Sequence, residues 1–313
     1  MNATYSTSIG NQVIPIDLNY RNVPENAAAF LVRTGAGPVL VECGPSHCVP
    51  ALQQGLGAHG VTLEDVKHLF LTHIHLDHAG ATGACTQRGA RAYVHPRGAR
   101  HLVDPERLMV SAARIYGTAL DTLLGPLEAS PAESIQAVAD GERITIGDVV
   151  FQAVETLGHA QHHHSWLVEI DQTKHLFTGD SIGMRLPSTE FAVLPLVPPE
   201  LDPAAWLDSI ERTRNLQADA IWLTHFGLLG EQGPFLDQVA TRLQDECAFI
   251  KNLLEEDPDA TREQQRARYR AWQLEQAAPY GVTAAMLERM CDDFHYDANL
   301  NGVTRFIEAG PPC

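Results

Sequence analysis

The chain has 313 residues, 44% of them hydrophobic and 19% charged, a composition ordinary for a globular protein of one large domain, or of one domain with an appendage. Its 22 Lys and Arg stand against 39 Asp and Glu, a formal charge of −17. Such a surface repels a phosphate backbone, because nucleic-acid affinity is built mainly from Lys and Arg contacts, so a nuclease is disfavoured and no nucleic-acid partner is expected. No apolar run reaches the roughly 18–20 residues of a membrane helix. The segment Met1–Ile16 has neither a basic n-region nor an apolar h-region, so the sequence predicts no membrane partner, no signal peptide and a cytoplasmic location.

Taken in chain order, short apolar runs at Val13–Leu18, Ala28–Thr34 and Val39–Glu42, separated by Pro, Asn and Gly, predict strands. A helix is expected over 49–59, then a buried strand over Val66–Thr72, a helix from Ala79 and a short strand at Ala92–His95. Residues 97–121 read as helical, with Ser111 as a candidate N-cap. Strands follow at Arg143–Ile146, Val149–Thr156, Ser165–Ile170 and His175–Thr178. A helix over 203–216 has Pro203 in its first turn, and a last strand over Ala220–Thr224 ends at His225. Beyond about residue 231 the β signal stops. Phe235–Glu255, Arg262–Gln276, Ala284–Phe294 and Leu300–Ala309 read as helices, broken by Pro258, Pro279 and Gly281. The expected division is therefore 1–230 and a helical extension over 231–313.

Six cysteines, Cys43, Cys48, Cys85, Cys247, Cys291 and Cys313, form no CxxC pair and read as reduced thiols. The 15 histidines, by contrast, are clustered: His-Ile-His-Leu-Asp-His over 73–78 and His-Ala-Gln-His-His-His over 159–164. Four candidate ligands within six residues, just past an apolar strand, suit Zn(II), Mn(II) or Fe(II), which accept mixed nitrogen and oxygen donors. Without a cation the same cluster would crowd desolvated imidazoles together at a cost.

The segment Thr72-His73-Ile74-His75-Leu76-Asp77-His78-Ala79-Gly80 resembles the HxHxDH signature of the metallo-β-lactamase superfamily. Three further segments follow in that family's order: Glu155-Thr156-Leu157-Gly158-His159, Leu176-Phe177-Thr178-Gly179-Asp180 and Leu223-Thr224-His225-Phe226-Gly227. The resemblance covers about residues 10–230. It implies an α/β (α+β) fold, a four-layer αββα sandwich, here followed by the helical extension.

The resemblance also implies a site with two divalent metal ions, Zn first and Mn or Fe as alternatives. His73, His75 and His159 match the ligands of one ion, Asp77, His78 and His225 those of the other, and Asp180 the carboxylate shared by both. A hydroxide held between the ions would be the nucleophile, with Asp77 orienting it or handling its proton. The sequence departs from the family pattern in three places. Glu42 stands where Asp is usual, Leu157 where Pro is common, and Ala160-Gln161-His162 replaces a Thr/Ser-Pro-Gly turn. His163 matches a histidine that supports the metal ligands in many members.

A small-molecule substrate with an ester, lactone or thioester bond is the leading expectation. The alternatives are a mononuclear iron oxidoreductase of the persulfide dioxygenase type, against which the complete second ligand set argues, and a phosphodiesterase or nuclease. A flavin-dependent diiron enzyme is disfavoured, because no flavodoxin-like domain follows residue 230. Substrate choice is expected from segments outside the motif: 94–102, 111–117 and 183–187 leading to Pro198-Pro199. Within them Tyr116 is a candidate donor to an oxyanion and Arg185 a candidate grip for a carboxylate, and His163 is a third candidate substrate residue. The helical extension is a candidate dimerisation element or lid.

Overall fold

A computed structural model describes residues 12–310 of the chain. In chain order it contains strands β1 (Val13–Asp17), β2 (Ala28–Thr34) and β3 (Gly37–Val41), helix α1 (Val49–Gly57), β4 (His68–Phe70), α2 (Leu76–Ala79), α3 (Thr82–Thr86), β5 (Arg91–Val94), α4 (Pro96–Val103), α5 (Glu106–Tyr116) and α6 (Leu120–Leu123). Then come β6 (Ile135–Ala137), β7 (Arg143–Ile146), β8 (Val149–Glu155), β9 (His164–Ile170), β10 (Thr173–Phe177), the short pair β11 (Met184–Arg185) and β12 (Ala192–Val193), α7 (Pro203–Asn215), β13 (Ala220–Leu223) and β14 (Gly227–Leu228). Helices α8 (Gln232–Glu256), α9 (Arg262–Ala277), α10 (Ala284–Leu287) and α11 (Asp293–Ala309) close the chain.

These elements fall into two compact units. One comprises residues up to Glu155 together with His162–Gly179 and Leu216–Gly230. The other comprises Thr156–Gln161, Asp180–Asn215 and the stretch from Glu231 onward. The division expected at residue 230 coincides with one of these boundaries, and the second unit takes in residues 156–161 and 180–215 besides the extension.

The first unit holds two six-stranded sheets, ordered β1-β2-β3-β4-β5-β6 and β14-β13-β10-β9-β8-β7. In the first, β1, β2 and β3 are antiparallel neighbours and β3 to β6 run parallel. Strand β2 shows how the sheet is buried on both faces. Ala28, Phe30 and Val32 point between the sheets, while Ala29 and Leu31 join a core with α1 (Leu52, Leu56), α4 (Leu102) and α5 (Ala112). Between the sheets lies an aromatic layer. The Phe70 ring stacks 4.5 Å from Tyr93 and 4.0 Å from Phe151, and meets Trp166 edge-on at 4.8 Å.

The expected helix over 97–121 is broken. Asp104, preceding Pro105, is extended (φ −126°, ψ 91°) and ends α4, as the clash with a proline ring requires. Ser111 lies inside α5, whose N-cap is Pro105. Strand β6 carried too little pattern to be predicted from sequence.

In the second unit, α9 starts with a capping box in which Thr261 and Gln264 satisfy each other's backbone N–H groups. The helix expected over 284–294 stops at Leu287. A new one starts where the Asp292 side chain accepts from the His295 N–H, and it runs unbroken to Ala309. The basic residues of α9 are engaged locally: Arg266 with Asp297 at 2.8 Å, Arg270 with Asp293 at 2.6 Å and Arg268 with Glu256 at 2.8 Å. Among the described residues no helix is long and apolar enough to cross a membrane. Cys43, Cys48, Cys85, Cys247 and Cys291 are free thiols, and Cys313 lies outside the described residues. Burial pushes Cys48 up to about 11 and Cys247 up to about 12, which makes both poor nucleophiles at neutral pH.

Phe70 joins the two sheets through Phe151 and Trp166 and stacks on Tyr93 within its own. Phe70→Ala should therefore cost about 3–5 kcal/mol of stability, read as a lower urea midpoint with an unchanged transition slope.

Candidate metal centre

The predicted ligands in the first unit follow strands β4 and β13, in the connecting segment or in the short helix after it. Strand β4 ends at Phe70, and the chain passes through Leu71 and Thr72 into His73. The Leu71 carbonyl accepts from two buried side chains, His164 Nε2 at 3.0 Å and Trp166 Nε1 at 2.9 Å. Their grip fixes where the histidine segment begins. His75 precedes α2 and Asp77 and His78 lie inside it, so one helical turn carries the second half of the motif. The N–H groups of Cys43 and Gly44 both donate to the His78 carbonyl, at 3.0 and 2.9 Å.

His73 is fully buried. Its Nδ1 lies 3.1 Å from the Thr72 hydroxyl, which donates to the Glu42 carboxylate. That relay requires Nδ1 to carry the ring proton and leaves Nε2 with its lone pair, 3.0 Å from His75 Nδ1. Glu42 also lies 3.6 Å from His78 Nδ1. A single buried carboxylate thus faces the back of His78 directly and of His73 through Thr72. Glu42 itself adopts a left-handed conformation, φ 62°, and its second oxygen is buried without a hydrogen-bond partner.

His225, which follows β13, is oriented in the same way by a backbone group. Its Nδ1 donates to the Asn26 carbonyl at 2.6 Å. The Nε2 atoms of His225 and His78 then face each other at 3.3 Å. Asp77 Oδ2 lies 3.6 Å from the first and 3.9 Å from the second. His225 Nε2, His78 Nε2 and Asp77 Oδ2 thus converge, three atoms of the kind that ligate a divalent ion. Asp77, His78 and His225 form a set of three ligand atoms within 4.8 Å of one another, and their chemistry fits a divalent ion.

The second unit carries the remaining two predicted ligands. His159 Nδ1 donates to the Pro195 carbonyl at 2.9 Å, which again leaves Nε2 with its lone pair, 3.4 Å from Asp180 Oδ2. Asp180 opens a turn closed by the Gly183 N–H at 2.9 Å. Just before that turn, in the first unit, Gly179 has φ 51°, and a Cβ there would collide with the Thr72 hydroxyl and His163 Nε2. Only glycine lets the end of β10 pass this close.

His163 is fully buried, its ring centroid 4.7 Å from that of His73. Tyr116 is half-buried at the end of α5, against the first helical core. Arg185 lies in β11, 3.8 Å from Glu190. Of the three segments expected to choose substrate, 94–102 forms the end of β5 and most of α4, with His95 capping the helix through its Nδ1. Two residues were not singled out from the sequence. Thr72 is one, and the only signal for it was its place directly before the first ligand. Tyr20 is the other: burial first, and the charge of Asp77 second, hold its phenol protonated well above the ordinary range.

Comparison with known proteins gives one consistent result. The family model of the metallo-β-lactamase superfamily matches residues 22–225. A metallo-β-lactamase fold-containing protein of Sulfurisphaera tokodaii is 27% identical over 211 residues, covering 66% of this chain and 75% of that protein. Among solved structures, an archaeal metallo-β-lactamase superfamily protein from Sulfolobus tokodaii matches with a TM-score of 0.65 at 21% identity, covering 94% of this chain and 99% of its own. A metallo-β-lactamase family protein from Thermus thermophilus matches with a TM-score of 0.66 at 20% identity, covering 95% and 92%. The fold is the αββα sandwich with a helical C-terminal extension.

Two outcomes are expected. Thr72→Val keeps the shape of the side chain and removes the relay, so metal affinity measured by chelator competition should fall about 10–100-fold with the fold retained. The second concerns His164. Burial first, and the neighbouring His95 second, push this imidazole from 6.5 down to about 3. The unfolded chain takes up a proton near pH 6.5 that the folded protein refuses until about 3. The contribution of His164 is therefore complete above about pH 6.5 and is lost as pH falls through that window, at up to about 1.4 kcal/mol per pH unit. Urea unfolding at about pH 7.5 and about pH 5 should show a shallower dependence on pH in His164→Gln than in the parent; identical dependence would discard this assignment.

Proposed function

Because the chain belongs to the metallo-β-lactamase superfamily, we propose that it is a dinuclear metal-dependent hydrolase acting on a small ester, lactone or thioester. The observation that carries this reading is the convergence of His78, His225 and Asp77, three potential ligand atoms within 4.8 Å of one another. A complete second ligand set is what distinguishes a two-ion hydrolase from a one-iron oxygenase. His73, His75 and His159 would hold one ion, Asp77, His78 and His225 the other, with Asp180 shared. The order of these residues along the chain, and the lone pairs directed away from the Thr72 hydroxyl and the Pro195 carbonyl, support that assignment. Imidazole and carboxylate donors suit Zn first, with Mn or Fe as alternatives. When bound, such ions supply Lewis acidity and bring the pKa of a coordinated water to about 7.

The chain's own residues do the rest. Asp77, half-buried, orients the attacking water and takes up its proton. Thr72, Glu42, Asn26 and Pro195 hold three ligand imidazoles in one tautomer. Tyr20, kept protonated, places a neutral hydroxyl in the neighbourhood of Asp77. Tyr116 and Arg185 are the proposed substrate contacts, the first as donor to a developing oxyanion and the second to a substrate carboxylate in place of Glu190. The net charge of −17 argues against a nucleic-acid substrate.

Elemental analysis of the purified protein, run beside hydrolysis of lactones, thioesters and phosphodiesters, tests this reading. About two Zn or Mn per chain, with turnover of a carbonyl substrate that a chelator abolishes, is the expected result. One Fe per chain with oxygen uptake and no hydrolysis would replace it by the dioxygenase reading. Within the expected outcome, Asp77→Asn should lower turnover about 10²–10⁴-fold.

A further inference from the structure

We propose that Asn299, in α11 of the C-terminal extension, is a positioning residue for His159. It would act through the Pro195 carbonyl, so that the helical extension is part of the metal centre's scaffold. The inference rests on the reading of His159 as a metal ligand. His159 lies in the loop after β8, and the back of its ring donates from Nδ1 to the Pro195 carbonyl at 2.9 Å. That carbonyl decides which nitrogen carries the proton and where the ring points. Its own direction is decided in turn by Asn299.

The Asn299 side chain clamps the backbone on both sides of Pro195. Its Nδ2 donates to the Leu194 carbonyl at 2.8 Å, and its Oδ1 accepts from the Leu196 N–H at 2.9 Å. A carbonyl on one side and an N–H on the other allow the amide only one orientation. The second Nδ2 hydrogen goes to the Tyr269 hydroxyl at 2.9 Å. Tyr269 donates to Glu246, which also accepts from Arg242 at 2.9 Å. Glu246, Tyr269 and Asn299 are fully buried, so this chain of bonds is shielded from competing water.

Two further contacts fix the same segment. Gln238 of α8 accepts from the Ala192 N–H at 2.5 Å and donates to the Glu190 carbonyl at 2.9 Å. One turn beyond Asn299, a Cβ on Gly302 would collide with the Leu196 carbonyl, so the backbone of α11 itself abuts the segment. Residues 190–196 are thus set by side chains of α8 and α11 and by the surface of α11. No comparable polar clamp is needed merely to cover an apolar face.

The test uses Zn(II) as probe, with chelator competition to read the two sites separately, and the Co(II) absorption spectrum as a reporter of ligand geometry. The full-length parent is compared with His159→Ala, Asn299→Ala and Tyr269→Phe, the last of which removes one hydroxyl and keeps the ring. In Asn299→Ala, one Zn should bind about 10–100-fold more weakly. The other, held by Asp77, His78 and His225, should keep its parental affinity. The Co(II) bands should shift, Tyr269→Phe should show a smaller effect in the same direction, and Asn299→Ala should add nothing in a His159→Ala background. If Asn299→Ala does not fold, Tyr269→Phe decides alone. Parental affinities and spectrum in both variants, while His159→Ala loses one Zn, would overturn the inference and leave the hydrolase reading standing. So would an equal weakening of both sites, which marks a general loss of stability. Parental binding of both Zn in His159→Ala would instead overturn the ligand assignment itself.

Discussion

The interaction on which the candidate ligands depend is a fixed hydrogen bond at Nδ1 of three histidines, His73, His159 and His225. An imidazole ligates only through a nitrogen without a hydrogen, and the other nitrogen must then donate to something. In this chain the acceptors are the Asn26 carbonyl for His225, the Pro195 carbonyl for His159 and the Thr72 hydroxyl for His73, which passes the polarity to Glu42. The acceptors are backbone groups in two cases and a buried relay in the third, and none can swing away. In these three rings Nε2 is directed the other way, and His225 Nε2 is crowded by His78 Nε2 at 3.3 Å and Asp77 Oδ2 at 3.6 Å. The structure tolerates this because the sheets, joined through Phe70 and its aromatic neighbours, fix the strand ends from which the ligands project.

Which residues were legible in the sequence follows from this arrangement. A ligand announces itself because its type is chemically restricted and several lie close together, as over 73–78. Asp180 and His225, which stand alone, and His159, one of four histidines over 159–164, became readable as candidate ligands only through their order and their places past apolar strands. The continuous apolar run from Ala28 to Val32 and the apolar runs of β8 to β10 marked strands correctly, because a strand covered on both faces has no polar side to interrupt it. The acceptors behind the ligands left no such trace. A carbonyl belongs to every residue, so nothing in the letters Asn26 or Pro195 distinguishes them. The single predicted helix over 97–121 failed at a residue whose effect is local, Pro105. The helices over 284–309 were misdivided because the decisive event, Asp292 capping the His295 N–H, is one hydrogen bond rather than a periodicity.

Glu42 illustrates how a departure from a family pattern can be absorbed. A glutamate in place of aspartate adds one methylene, about 1.5 Å of reach. Here the longer side chain still meets Thr72 and comes within 3.6 Å of His78 Nδ1. The backbone here is held at φ 62° and the second carboxylate oxygen has no hydrogen-bond partner. Strained and unsatisfied groups of this kind persist where the surroundings over-determine them. The surroundings here do so: the Glu42 N–H is fixed to the Phe70 carbonyl at 2.9 Å, and the residue's environment is fully buried.

The same reasoning bears on the extension. The pair of Arg242 and Glu246 is almost wholly buried, with the Arg242 guanidinium 4.3 Å from the centre of the Phe191 ring. Taking two charges out of water costs several kcal/mol per ion, and well-packed apolar residues of the same volume would stabilise a helical bundle as well or better. Stability alone therefore does not account for the pair. A hydrogen-bonded network does something an apolar core cannot, since it fixes direction as well as distance. From Arg242 through Glu246 and Tyr269 to Asn299, the hydrogen bonds run unbroken. The last member delivers that direction to the backbone on either side of Pro195. An apolar contact at the same place would not engage the Leu196 N–H, and so would not fix the peptide plane that also carries the Pro195 carbonyl to which His159 donates.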